Sequence, residues 1–156
     1  SRNPASIEHY RQAAEAYGIA RDRLVFATRV PRVEDHLARY RLADVFLDTS
    51  PYNAHTTTAD ALFSGCPVVT CMGDSFASRV AGSLIQAAGM PELVANNWEE
   101  YEALALRLAT DKAWNRSIRE KLQQQKAGAP LFDTTRFVRD LEGVFTKLAK
   151  DHGLAP

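Results

Sequence analysis

The stretch Asp44-Val45-Phe46-Leu47-Asp48, then Thr49-Ser50-Pro51-Tyr52-Asn53-Ala54, then His55-Thr56-Thr57-Thr58-Ala59-Asp60-Ala61-Leu62-Phe63-Ser64, decides the fold. The short apolar run around Phe46 reads as a buried strand. Pro51 and Asn53 mark the turn after it. From Thr56, Ala59, Leu62 and Phe63 recur at helical spacing, and Gly65 ends the helix. Pro67-Val68-Val69-Thr70 makes the next strand. Strand, helix and strand in so short a span form a parallel pair joined by a crossover.

The same rhythm extends in both directions. Upstream, a helix from about Ile7 to Tyr17 stops at Gly18, and Leu24-Val25-Phe26-Ala27 reads as a buried strand. Pro31 opens a short helix with Val33, Leu37 and Tyr40 on one stripe. Downstream come a loop from Gly73 to Phe76, a helix from Ala77 to Ala88, and a short strand Glu92-Leu93-Val94. The last third is helical. Asn97 with Glu100 reads as a capping box, a helix through Leu104, Leu106 and Leu108 ends near Thr110, and another runs from Trp114 to Gln125. After a break over Ala127 to Leu131, Asp133 caps a final helix to about Lys150. Its Phe137, Leu141, Val144, Phe145 and Leu148 share one face, left open for the remainder of a larger protein or a second copy. The class is α/β, a parallel sheet with helices on both faces. Ligands bind such sheets outside the carboxyl ends of the strands. The loops to watch are therefore Thr28 to Arg32, Thr49 to His55, and Cys71 to Phe76.

Composition narrows the function classes. With 156 residues, 46% of them hydrophobic, the chain has length for one domain with a core of its own. Nineteen basic and nineteen acidic side chains cancel, which removes the electrostatic footprint of non-specific nucleic-acid binding. No apolar run has the length of a membrane span. Cys66 and Cys71 suit a reducing, cytoplasmic compartment and make no zinc site at that spacing. An initial Ser in place of Met suits a chain cut from a longer one. Charge is unevenly spread: from Leu42 to Glu100 there are seven acids and one base, Arg79.

Three clusters can carry chemistry. The first is Asn53-Ala54-His55-Thr56-Thr57-Thr58, between a strand and a helix. The first turn of a helix has free N–H groups and the positive dipole end, where phosphate binds. The threonines add hydroxyls, His55 a further donor, and Asp60 one turn on is placed to accept from ribose hydroxyls. A plain threonine cap with an exposed His reads equally well from these residues. The second is Arg32, His36 and Arg39, one stripe of a helix suited to a nucleotide base and its phosphates, or else a solvated face paired with Glu34 and Asp35. The third is Gly73 to Val80, where a buried Arg79 pairing with Asp48, Asp60 or Asp74 is favoured over a ligand contact. No G-x-G-x-x-G, Walker A, G-x-S-x-G or H-E-x-x-H motif occurs.

The ordered words are more specific than any one of them. Leu42-Ala43-Asp44-Val45-Phe46-Leu47-Asp48-Thr49, Asn53-Ala54-His55-Thr56-Thr57, Asp60-Ala61-Leu62, Gly65-Cys66-Pro67-Val68-Val69-Thr70, Ala77-Ser78-Arg79-Val80 and Pro130-Leu131-Phe132-Asp133-Thr134 together resemble the C-terminal catalytic region of the O-linked N-acetylglucosamine transferases and their SPINDLY-type relatives. The resemblance runs from about Asp22 to Leu148. It implies the second lobe of a GT-B glycosyltransferase, a Rossmann-like domain that holds a sugar nucleotide, here a UDP-sugar and by family UDP-N-acetylglucosamine. On that basis residues 1–156 are one partial domain without its first strand, inactive alone, whose catalytic base is unassigned. His55, Thr56 and Thr57 match the word that cradles the donor diphosphate, and Asp60 matches the acid at the ribose. His36 and Arg39 match the pair beside the base, and Arg32 falls near a basic residue at ribose and phosphates, one residue out of register with some members. No metal and no cofactor beyond the donor is implied. The acceptor is a protein or peptide, selected by tetratricopeptide repeats that this chain does not contain. A different class, a non-catalytic module for protein interaction, would leave the His55 turn as a cap alone.

Overall fold

The computed structural model describes residues 3–154. They fall into two compact units, one up to Val33 and the other from Glu34 onward.

The first unit holds helix α1, Pro4–Ala16, and a single 3-10 turn, Arg21–Arg23. The Asn3 side chain accepts from the Ala5 N–H, and Pro4 takes the first helical position, where a missing N–H costs nothing. Gly18 ends the helix at φ +74°, where a side chain would be strained. Arg21 reaches back to Glu8 and Glu15 of α1, at 2.5 and 3.0 Å. Leu24 to Ala27 departs from expectation. Leu24 is extended, but the run forms no strand, and Val25 is 85% exposed. An apolar run becomes a strand only where a neighbouring ladder takes its N–H and C=O groups, and the sheet is built from three other segments.

Those segments are β1 (Phe46–Leu47), β2 (Val68–Cys71) and β3 (Val94–Ala95), paired in that order and all parallel. Phe46 donates to Pro67 and Asp48 to Val69, so the ladder runs on to Asp48 past the end of β1 and takes in Pro67 before β2. The last strand lies two residues later than the sequence reading put it, because Pro91–Leu93 tightens into a 3-10 turn. Val68, Val69 and Thr70 of the central strand are fully buried. Successive side chains point to opposite faces, so both faces are covered. Helices α3 (Thr56–Phe63) and α4 (Val80–Ala87) make the two crossovers and pack against one another, while α5 (Trp98–Thr110) packs on β2 and β3. Right-handed crossovers running in one direction put α3 and α4 on one face and leave the other to α5. Leu62, Ile85, Met90, Leu93, Leu108 and Leu122 fill the core.

Helix α6 (Lys112–Gln125) is fastened to the start of β1. The Arg119 guanidinium donates to the carbonyls of Ala43 and Gly65, and its Nε to Oδ1 of Asn115. The Asn115 amide in turn donates to the carbonyls of Asp44 and Leu108, at 2.9 Å each. At α5 the Asn97 side chain accepts from Glu100 N, while the Glu100 carboxylate takes Asn96 N and both asparagine amides. Helix α7 (Thr134–Asp151) starts at Asp133, whose side chain accepts from Arg136 N. Its five apolar side chains are all exposed, Phe137 and Phe145 each by 61%.

The candidate site at the carboxyl end of the sheet

Beyond the carboxyl end of β1 the chain enters α3, which short α2 (Val33–Arg39) meets through His36 and Asp60. The loop from Asp48 to His55 is held from beneath. The Asp48 carboxylate is buried and accepts the Thr70 hydroxyl and the Ala54 N–H, both at 2.6 Å. The Tyr101 hydroxyl, from α5, donates to the Asp48 carbonyl at 2.9 Å. Burial, then the charge of Asp48, pushes that phenol's pKa above its ordinary value. Asn53 N donates to Ala77 O, which ties this loop to the one after β2. The chain therefore enters α3 from a fixed direction.

His55 is the N-cap residue of α3, and its side chain makes no capping hydrogen bond. Thr56 and Thr57 occupy the first two helical positions and are exposed. N–H groups at these positions have no acceptor inside a helix. Thr58 differs from its neighbours. Its hydroxyl donates to Ala54 O and its N–H to His55 O, so it closes the turn inward and offers nothing to a ligand. The His55 ring is stacked on Tyr52, with centroids 4.9 Å apart and planes 19° apart, and meets Phe76 edge-on at 6.3 Å. His55 Nε2 is shut off from solvent with no hydrogen-bond partner among the described residues.

His36 of α2 meets Asp60 of α3, its Nε2 3.7 Å from Oδ2. Tyr40 lies edge-on to His36 at 5.4 Å, and burial, then the charge of Asp60, pushes its pKa up. Arg39 is half-buried one turn beyond His36. Arg32 is exposed and belongs to the first unit. Arg79 is not the buried ion-pair partner anticipated for it. It is exposed, and its Nη1 donates to Gly73 O at 3.2 Å, while the Asp48 carboxylate is taken by Thr70 and Ala54 and that of Asp60 faces His36. Beside it Met72, Phe76, Val80 and Ser83 line an open cleft of about 440 Å³.

Sequence reasoning missed Tyr52 and Phe76 as ring partners of His55, and it offered Asp48 as a partner of Arg79 where the structure gives it Thr70 and Ala54. An apolar or acidic side chain in a turn gives no sign of what it touches across the sheet. Cys66 is buried, which raises its thiol to about 11, and Cys71 is half-buried.

The chain as a whole has relatives. The chain is 40% identical over 143 residues to a UDP-N-acetylglucosamine–peptide N-acetylglucosaminyltransferase of Caenorhabditis elegans, over 92% of this chain and 12% of that protein. It is 39% identical to the probable transferase SEC of Arabidopsis thaliana, over 97% of this chain and 16% of that protein. The probable transferase SPINDLY of Petunia hybrida is 35% identical, over 86% and 14%. Among solved structures, a lysine-to-methionine mutant of Thermobaculum terrenum O-GlcNAc transferase superposes with a TM-score of 0.88 at 36% identity, over 96% of this chain and 28% of that one. The chain thus spans a small part of the relatives it matches. Residues 2–141 match the family model of glycosyl transferase family 41, most of the chain, and the chain belongs to that family.

Proposed function

We propose that this chain is the donor-binding lobe of a protein O-glycosyltransferase that carries a sugar from a UDP-sugar, N-acetylglucosamine by family, to Ser or Thr hydroxyls. The observation that carries the reading is the start of α3. His55, Thr56 and Thr57 stand there at the carboxyl end of β1, the place where parallel sheets bind ligands. The dipole's positive end and two free N–H groups meet a diphosphate. His55 adds an imidazole at the same turn, its Nε2 without a hydrogen-bond partner among the described residues. Asp60 serves the ribose, with His36 beside it and Arg39 one turn on toward the base. Arg32, which lies in the first unit, is a donor-site candidate by family resemblance alone.

In the transfer the diphosphate leaves with growing negative charge. Donors fixed before the reaction stabilise that charge without reorganising. That is the part these residues play, and the group that deprotonates the acceptor hydroxyl is assigned to no residue of this chain. The acceptor is a protein or peptide engaged elsewhere in the polypeptide.

Calorimetric titration with UDP tests the reading. Saturable binding that His55→Ala weakens by roughly 1–3 kcal/mol, the scale of a charge-assisted hydrogen bond, supports it. Saturable binding that His55→Ala leaves unchanged would move the donor site away from this turn, and absence of saturable binding would make the turn a cap and favour an interaction module.

A further inference from the structure

We infer that Tyr52 and Phe76 are positioning residues, which hold the His55 imidazole in the orientation that the donor diphosphate requires. The inference rests on the donor-site reading above and adds to it a device that fixes the ring.

The His55 side chain makes no capping hydrogen bond to the helix that would orient it. Its Nε2 has no partner among the described residues either. What bears on the ring is two other rings. Tyr52 covers one face at 4.9 Å and 19°, and Phe76 meets it nearly perpendicular, at 6.3 Å and 87°. These are the offset-stacked and edge-to-face geometries that aromatic pairs prefer. Together they oppose rotation about both side-chain torsions of His55.

The two rings come from different loops, and each is fixed at its root. The Thr49 hydroxyl donates to the Tyr52 carbonyl at 2.7 Å. Phe76 begins the 3-10 turn Phe76–Ser78, closed by the reciprocal bonds of Ser75 and Ser78. Asn53 N to Ala77 O, at 2.9 Å, locks the loops together one residue from each ring. Both rings are largely exposed, Tyr52 by 64% and Phe76 by 82%. Core packing therefore does not account for them, and replacing them leaves the fold intact.

The experiment is a double-mutant cycle on UDP affinity, with the His55 ring-proton NMR resonances recorded on each protein. Tyr52→Leu is expected to raise the UDP dissociation constant about three- to tenfold, and Phe76→Leu less. Tyr52→Phe, which keeps the stack, is expected to restore wild-type affinity. In the His55→Ala background Tyr52→Leu is expected to add nothing, since its effect passes through the missing ring. The His55 ring protons are expected to move downfield in Tyr52→Leu as the ring current is lost. If His55→Ala weakens UDP binding and Tyr52→Leu does not, positioning is refuted while the donor site stands. An equal loss from Tyr52→Leu with and without His55 also refutes it, and makes Tyr52 a direct contact. If the wild-type chain does not bind UDP, the donor site itself fails and this role falls with it, whatever the ring protons show.

Discussion

The imidazole of His36 on α2 stands 3.7 Å from the carboxylate of Asp60 on α3. Two motifs distant in sequence thus meet at one place. Thr56 and Asp60 are one turn apart on α3, so the contact brings α2 to the helix that begins with His55. Nucleotide recognition needs this kind of convergence: anion donors, a ribose acceptor and a base-side group on one short arc.

Asp60→Asn tests the contact. The pair is partly exposed, and such pairs contribute little to stability. Unfolding free energy is expected to change by less than about 1 kcal/mol. UDP affinity is expected to fall, but by less than in His55→Ala, because an amide oxygen still accepts from a ribose hydroxyl. A larger loss than in His55→Ala would put the dominant contact at the ribose instead of the diphosphate.

Arg119 is expected to matter for stability rather than for binding. Its guanidinium holds two carbonyls before and after α3's neighbourhood, those of Ala43 and Gly65, and Arg119→Ala leaves them without that donor. A cost of about 1–3 kcal/mol in chemical denaturation is expected, with UDP affinity nearly unchanged in the folded protein. Asn115→Ala should not add fully to it, since the two side chains share a hydrogen bond.

Much of this was legible in the sequence, for identifiable reasons. The starts of α3, α5 and α7 carry local signals, a turn residue or a side chain that caps its own helix, whereas α6 begins at Lys112, two residues before the expected Trp114, because Asp111 caps it. Val68 to Thr70 reads as a strand because the central strand of a parallel sheet is apolar on both faces. The failures are non-local. Leu24 to Ala27 has a strand's composition, but a ladder is a property of two segments. Arg79 was expected inside because it is the one base in an acidic stretch, yet Asp48 and Asp60 are engaged by other groups and Arg79 is exposed on Gly73 O. The reach of Arg119 to Ala43, and the rings against His55, join residues whose relation appears only when the chain is folded.

The pH dependence has a definite sign at Glu100. Backbone and side-chain donation from Asn96, then Asn97, holds its carboxyl below the ordinary value near 4.5. A depressed folded value means stability that is present above the unfolded value and lost as pH falls through the folded one. Between about pH 5 and pH 3 the wild-type denaturation midpoint is expected to fall more steeply than that of Glu100→Gln. Equal slopes would show that the carboxylate contributes nothing there.

The cysteines should differ in reactivity. Burial holds the Cys66 thiol at about 11, and it lies in the core. Cys71 is half-buried at the end of β2, its pKa also raised, by burial and then by Glu100 and Glu99. Iodoacetamide at about pH 8 is expected to alkylate Cys71 slowly and Cys66 only on unfolding, as mass spectrometry of the digested protein will read. Modification of Cys66 in the folded chain at a comparable rate would contradict the packing described.

The central claim is that a diphosphate sits on the first turn of α3, and NMR titration of the amide resonances with UDP tests it most directly. The account predicts saturable shifts that are largest at the amides of Thr56 and Thr57, accompanied by the His55 ring and by Asp60. Little shift is expected at Thr58, whose N–H is already bound to His55 O. Saturable shifts centred elsewhere, with Thr56 and Thr57 unmoved, would contradict it.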